Sequence, residues 1–240
     1  MARWSMVIDL EKCVACQGCS IACRFENNTP VVSQELALEE RAMRWNDVFP
    51  MPHGEVGEFP NTKTHYMTRP CMHCENPPCI KVCPVQATYI DDEGLVRQNY
   101  ARCIGCRFCT VACPYGVRYF NWYAPQFDPD LAQHLNPDRV EGKGVLEGPS
   151  VRPKGVVEKC TYCVHRLQKA HAQAEAEGRE FRPDEYMPAC VQTCTGKARF
   201  FGDLDDPNST VSKLAKSKRA FRLLEDVGTQ PKTIYLQEGE

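Results

Sequence analysis

Apolar positions along this chain fall in short bursts, set among turn-forming residues, and most bursts carry strand chemistry. Trp4 to Ile8 predicts an opening strand, and Thr88-Tyr89-Ile90-Asp91-Asp92-Glu93-Gly94-Leu95-Val96 predicts a hairpin that turns at Asp92 to Gly94. Gly116-Val117-Arg118-Tyr119-Phe120, Ala198-Arg199-Phe200-Phe201-Gly202 and Thr233 to Leu236 read as further strands. Two stretches suit helices instead. His165 to Glu177, rich in Ala, Gln and Glu and stopped by Gly178, predicts a surface helix. Val211 to Val227, with Ser209 or Thr210 as cap and Gly228 as stop, predicts a C-terminal helix ahead of the last strand. No apolar run reaches the roughly eighteen residues that a bilayer span requires, so any membrane association is expected to come through a partner.

Composition narrows the picture. With 240 residues, 42% hydrophobic and 25% charged, the chain can build one or two cored domains and is too well mixed to be disordered. A net charge of −2 gives no basic excess pointing to nucleic acid and no acidic docking tail. The opening Met1-Ala2-Arg3-Trp4-Ser5-Met6-Val7-Ile8-Asp9-Leu10 has too short an apolar run for a signal peptide, so no export signal of its own is expected. The sixteen cysteines are the abnormal feature. A chain able to bury a core has little need of disulfide staples, so these thiols ask for another use.

They fall into four groups. The first reads Cys13-x2-Cys16-x2-Cys19-x3-Cys23, and the second reads Cys71-x2-Cys74-x4-Cys79-x3-Cys83-Pro84. The third, Cys103-x2-Cys106-x2-Cys109-x3-Cys113-Pro114, follows the bacterial ferredoxin run without departure. The fourth is split, with Cys160-x2-Cys163 far upstream of Cys190-x3-Cys194. Each group with its following strand suggests a half-ferredoxin unit of ligand loop, short helical turn and strand. The segments Arg24 to Arg69, Tyr123 to Lys159 and Val164 to Ala189 interrupt the repeat.

Two intervening residues let a loop wrap so that three thiolates converge on a cubane, while the fourth cysteine of each run serves the neighbouring cluster. Motifs therefore work in reciprocal pairs. A short stretch separates Cys83 from Cys103, enough for one hairpin, whereas more than twice that length separates Cys23 from Cys71. Motifs two and three are thus expected to pair, leaving motif one for motif four. Pro84 and Pro114 follow the inner fourth cysteines, where the outer pair has Arg24 and Thr195. The fold class expected is α+β, with two bacterial-ferredoxin-like modules bearing loop and helix insertions. Residues 1–60 plus 155–205 form the outer module, 61–122 the inner module, 123–154 an insertion, and 206–240 a C-terminal helix and strand. Four [4Fe–4S] clusters are expected. Cys13, Cys16, Cys19 and Cys194 would hold the first, and Cys23, Cys160, Cys163 and Cys190 the second. Cys71, Cys74, Cys79 and Cys113 would hold the third, and Cys83, Cys103, Cys106 and Cys109 the fourth.

Rival uses of the thiols are weaker. A split Cys-x2-Cys arrangement also suits zinc, but three uninterrupted four-cysteine runs do not. Covalent haem needs Cys-x-x-Cys-His, which is absent. His73 and His165, inside and beside motifs, are expected to support ligands or face solvent rather than bind iron. Arg24, Arg107, Arg118 and Lys159 could raise cluster potentials, yet most are expected to be solvated charges. Trp4, Trp45 and Trp122 are expected to pack rather than to carry electrons. No Walker loop, nucleophile elbow or dinucleotide fingerprint appears, and Gly142, Gly144 and Gly148 have the wrong spacing. The catalytic set is expected to be empty. A cluster-stapled docking protein without redox work, and a free ferredoxin, are the remaining alternatives.

Several stretches carry a more specific likeness: Met6-Val7-Ile8-Asp9-Leu10 before Cys13, Cys74-Glu75-Asn76-Pro77-Pro78-Cys79, Cys113-Pro114-Tyr115-Gly116, Glu158-Lys159-Cys160-Thr161-Tyr162-Cys163 and Phe201-Gly202-Asp203-Leu204-Asp205-Asp206-Pro207. Over nearly its whole length the chain resembles the electron-transfer subunits of the molybdopterin oxidoreductase superfamily, such as those of polysulfide, tetrathionate and arsenate reductases. The insertion from Gln168 to Met187 and the run Val117 to Trp122 look more like the iron–sulfur part of alternative complex III and quinone reductase complexes. The resemblance implies a relay between a molybdopterin-type large subunit and a quinone-interacting integral membrane subunit, with a multihaem cytochrome c as a further candidate partner. It implies membrane association through those partners, with export to the periplasmic face alongside one of them and the cytoplasmic face as the alternative. Cys194-Thr195 stands where relatives have Cys-Pro, which leaves a three-iron cluster as the alternative there.

Overall fold

The chain opens with strand β1 (Trp4–Asp9), and the first cysteine motif follows, its last two cysteines on helix α1 (Gly18–Glu26). Helix α2 (Gln34–Leu38) and a hairpin of β2 (Asp47–Pro52) and β3 (Thr64–Arg69) lead to the second motif, which carries α3 (Pro78–Lys81). A second hairpin, β4 (Thr88–Ile90) and β5 (Val96–Gln98), joins it to the third motif, with α4 (Phe108–Ala112) and then β6 (Tyr119–Phe120). Strand β7 (Val157–Glu158) precedes the fourth motif, whose halves flank α5 (Val164–Ala176) and finish on α6 (Ala189–Gln192). Strand β8 (Arg199–Asp203), helix α7 (Thr210–Ala215), β9 (Ala220–Phe221) and β10 (Thr233–Leu236) follow. This computed structural model describes residues 2–52, 64–127, 130, 134–136 and 151–239. The boundary expected at 60/61 and the Gly142, Gly144 and Gly148 spacing lie outside them.

The opening strand is central, in the order β8-β1-β10-β9, antiparallel to β8 and parallel to β10. Covered on both faces, β1 is buried at all six positions. Its alternation sorts two cores, as a pleated strand must. Trp4, Met6 and Ile8 point to the larger core with Tyr162, Tyr186 and Tyr235, where Trp4 stacks on Phe201 at 5.6 Å. Val7 points the other way, onto Val211, Ile234 and Leu236.

Local chemistry explains the short elements. In the β4–β5 hairpin, Asp91 Oδ1 accepts the N–H groups of Glu93 (3.1 Å) and Leu95 (2.8 Å), and Gly94 takes φ +71°. Helix α5 begins one residue before the expected start and ends one before the expected stop, with Gly178 left-handed just beyond it.

Past Ala215 the expected C-terminal helix is corrected. Ser209 caps α7 as its side chain accepts the Ser212 N–H at 3.0 Å, but the helix stops at Ala215 and not at Val227. Ala220 and Phe221 leave helical geometry to pair with Leu236 and Tyr235 at the sheet edge. Arg219 anchors the departure, reaching Asp9 Oδ1 and Glu11 Oε2, each at 2.8 Å. Sheet pairing and burial of Phe221 beside Tyr235 thus override a helical period in the sequence. Among the described residues no helix is long and apolar enough to cross a membrane.

Candidate metal centres

Helix α1 packs against α6, and α3 packs against α4. The first contact brings the motif carrying Cys19 and Cys23 to the motif carrying Cys190. The second brings the motif of Cys79 to that of Cys109. Strand pairing points the same way, because β1 precedes motif one and pairs with β8, which follows motif four. Motif one therefore lies with motif four, and motif two with motif three. All sixteen thiols are free.

The ligand loops are wound by left-handed residues. Ala15 and Gln17 flank Cys16, and Gly105 and Arg107 flank Cys106, all with φ between +53° and +68°. Past the fourth cysteine, three motifs share one turn. The left-handed Gln86, Gly116 and Lys197 return N–H bonds to the carbonyls of Cys83, Cys113 and Cys194 at 3.1–3.2 Å. The next N–H then donates to sulfur, Ala87 to Cys83 Sγ at 3.1 Å and Ala198 to Cys194 Sγ at 3.3 Å. Motif one departs from this. Helix α1 runs on past Cys23, and Asn27 supplies the donor, its Nδ2 lying 2.9 Å from the Cys23 carbonyl, 3.7 Å from Cys23 Sγ and 4.0 Å from Cys163 Sγ.

The electrostatics show which sulfurs are neighbours. Burial pushes the Cys23 thiol far up, and Cys160, Cys163 and Cys190 add to it. Cys74 is raised to about 12 by burial, then by Cys71, with Cys79 and Cys113 close by. Cys13 rises through burial and the nearby Cys19 and Cys194. Cys109 rises through burial, opposed by Arg118, with Cys79 and Cys103 as further thiol neighbours. Gathering thiolates in this way is costly unless positive charge sits among them. An iron core supplies that charge, so the donor sets fit the group that their spacing calls for.

Comparison with known proteins agrees with this chemistry. A family described as a 4Fe-4S dicluster domain matches residues 62–128. The iron–sulfur cluster-binding subunit of menaquinone reductase from Nitratidesulfovibrio vulgaris is 43% identical over 99% of this chain and 90% of its own. A subunit of the selenate reductase of Mesobacillus selenatarsenatis is 40% identical over 98% of this chain and 72% of its own. The arsenate respiratory reductase iron–sulfur subunit of a Shewanella species is 37% identical over 98% and 96%. The chain belongs to the iron–sulfur subunits of the molybdopterin oxidoreductase superfamily. It carries multiple [4Fe–4S] clusters, and its role is electron transfer.

In this iron–sulfur subunit several side chains sit differently from the sequence expectation. Arg118 and Lys159 are buried, not solvated. Arg118 Nη2 donates to Cys79 Sγ at 3.2 Å, and Lys159 Nζ donates to the Cys160 carbonyl at 2.8 Å. Arg24 is half-buried on the Pro30 carbonyl at 2.9 Å, while Arg107 is exposed and lies over Trp122. His73 is wholly buried and contacts the Cys160 carbonyl. His165 binds Glu26 at 2.6 Å. Trp4 and Trp45 are buried packing residues, and Trp122 lies beneath Arg41 and Arg107.

Sequence reasoning missed Arg199, Asn46 and Asn27. Asn46 Nδ2 donates to Cys19 Sγ at 3.2 Å and its Oδ1 receives Arg199 Nη2 at 2.6 Å. A signal for Arg199 was present: it stands five residues after Cys194, as Arg118 stands five after Cys113. No comparable signal marks Asn46, which arrives from the loop ahead of β2.

Proposed function

We propose that the chain relays single electrons through four [4Fe–4S] clusters held in two ferredoxin-like modules, joining a molybdopterin-type large subunit to a quinone-linked membrane subunit. Cys13, Cys16, Cys19 and Cys194 hold the first cluster, and Cys23, Cys160, Cys163 and Cys190 the second. Cys71, Cys74, Cys79 and Cys113 hold the third, and Cys83, Cys103, Cys106 and Cys109 the fourth. When bound, such clusters accept and give up one electron at a time with little structural change. The protein's part is to fix their order, exclude water and set their potentials.

The observation that carries this reading is a chain of sulfur neighbours across the motifs. Cys190 feels the charge of Cys19, Cys160 feels Cys71, and Cys109 feels Cys79. These three junctions support the linear order first, second, third, fourth. Exposure supports it too: Cys16 and Cys106, in the two end groups, are the exposed cysteines. Around them Val14, Ile104, Phe108 and Val111 stand in solvent. Apolar exposure of that kind suits the docking of partner subunits at the two ends.

Membrane association then comes through partners, with the subunit at the periplasmic face. The names of relatives, an arsenate respiratory reductase and a polysulfide reductase among them, suit a large subunit that reduces a respiratory oxidant. The 43% likeness to a menaquinone reductase subunit favours a second reading, in which quinone receives the electrons.

Anaerobically prepared full-length chain should contain about sixteen irons. Cys194→Ser should remove the cluster of motif one, and Cys23→Ser that of motif four, each lowering iron to about twelve. Electron paramagnetic resonance assigns the loss, and the opposite pattern would refute the crossed pairing.

A further inference from the structure

Two buried arginines have no carboxylate partner among the described residues. Arg118 binds Thr88 Oγ1, Gln98 Oε1 and Cys79 Sγ, each at 3.2 Å. Arg199 binds Asn46 Oδ1 at 2.6 Å and Met6 Sδ at 3.6 Å. Both side chains are more than nine-tenths buried. A guanidinium in such a place costs several kcal/mol unless an anion answers it. Here the anions are sulfurs. Burial works against the Arg118 charge, but Cys79, Cys109, Cys71 and Cys113 outweigh it and raise its pKa. Burial likewise opposes the Arg199 charge, and Cys190 and Cys19 lead the groups that overcome it.

The placement is what matters. Cys79 and Cys109 lie on opposite sides of the junction between third and fourth clusters, and Cys190 and Cys19 on opposite sides of that between second and first. We infer that Arg118 and Arg199 are potential-setting residues, one inside each ferredoxin-like module, and that each stabilises the reduced state of both clusters of its pair. Reduction adds one negative charge and neither makes nor breaks a bond, so a fixed cation beside the sulfurs favours it. One cation serving two clusters raises both potentials together and leaves the step between them unchanged.

This rests on the cluster assignment above. If that assignment fails, unsubstituted protein will already show the wrong iron content or wrong signals. The test is a potentiometric titration of full-length chain carrying its clusters, followed by electron paramagnetic resonance. Arg118→Gln should shift the oxidised-to-reduced ratio of third and fourth clusters about tenfold toward oxidised at a fixed ambient potential, equivalent to about 59 mV for one electron. First and second clusters should hold their potentials. Arg199→Gln should do the reverse, and Arg118→Lys, which keeps the charge, should remain near the parent. Full iron content with unshifted potentials in Arg118→Gln overturns the inference, as does an equal shift of all four clusters. Should glutamine cost the inner clusters, Arg118→Lys decides: retained clusters near parental potential support the inference, and displaced or missing clusters overturn it.

Discussion

His73 of the second cysteine motif and Cys160 of the fourth are joined directly, with the His73 ring Nε2 3.0 Å from the Cys160 carbonyl oxygen. The Val96 N–H donates to His73 Nδ1 at 3.2 Å, which fixes the tautomer so that Nε2 carries the proton and donates it. Burial, reinforced by the nearby Lys159 and Lys232, holds the imidazole pKa far below its usual range. The ring also stacks on Tyr162 at 3.9 Å, beside Cys160 and Cys163. His73→Phe keeps the stacking but orphans the buried Val96 N–H, at about 1–3 kcal/mol, and leaves the Cys160 carbonyl to Lys159 Nζ alone. Denaturant unfolding under anaerobic conditions should show a lowered midpoint. An unchanged midpoint would mean that water or another group satisfies the Val96 N–H.

Gly105 and Gly196 mark two close backbone approaches. A Cβ on Gly105 would sit 2.1 Å from the Gly155 carbonyl oxygen, at φ +68°. One on Gly196 would sit 2.5 Å from the Lys12 carbonyl oxygen, next to Cys13. Alanine at either position should cost about 1–3 kcal/mol by overpacking, and more at Gly105, where the left-handed backbone adds strain. Gly105→Ala should chiefly impair the fourth cluster and Gly196→Ala the first, as read by iron content and resonance signals. Equal loss from all clusters would count against this localisation.

Asn27 takes over, in motif one, the role of a backbone donor in the other three. Asn27→Ala removes the 2.9 Å bond to the Cys23 carbonyl at the end of α1, worth about 1 kcal/mol. It also removes the amide near Cys23 Sγ and Cys163 Sγ, so the second cluster should become harder to reduce while the third and fourth stay put. A potentiometric titration checks this, and a shift confined to the first cluster would contradict it.

Glu26 clamps the end of α1 to α5, with Oε1 2.6 Å from both Arg166 Nε and His165 Nε2 and Oε2 2.7 Å from Arg166 Nη2. Burial alone would raise its pKa, but Arg166 first and then His165 reverse this and hold the carboxyl at about 2. A depressed acid contributes stability that is complete above its unfolded pKa and fades as pH falls toward the folded one. The stability difference between parent and Glu26→Gln should therefore be steady above about pH 4.5 and shrink between there and about pH 2. Unfolding midpoints across that range measure it, and a difference independent of pH would show that the ion pair adds nothing.

The cysteine spacing alone named the metal chemistry, because a ligand loop is a local object: two residues between thiols suffice to wrap it around a cubane. Strand β1, the β4–β5 hairpin, α5 and β10 were legible for the same reason, each being written in neighbouring residues. Four features were not. Helix α7 ends at Ala215 because Phe221 finds Tyr235 across the sheet. Which of the four cations near the motifs would be enclosed was not written locally, yet folding buries Arg118 and Lys159, and Asn46 reaches Cys19 from a loop distant in sequence. His73 meets Cys160 only when folding brings the second and fourth motifs together. Which atoms bind iron is thus set by the chain's order, whereas the dielectric, the fixed charges and the donors around the sulfurs depend on long-range packing, and no local pattern encodes those.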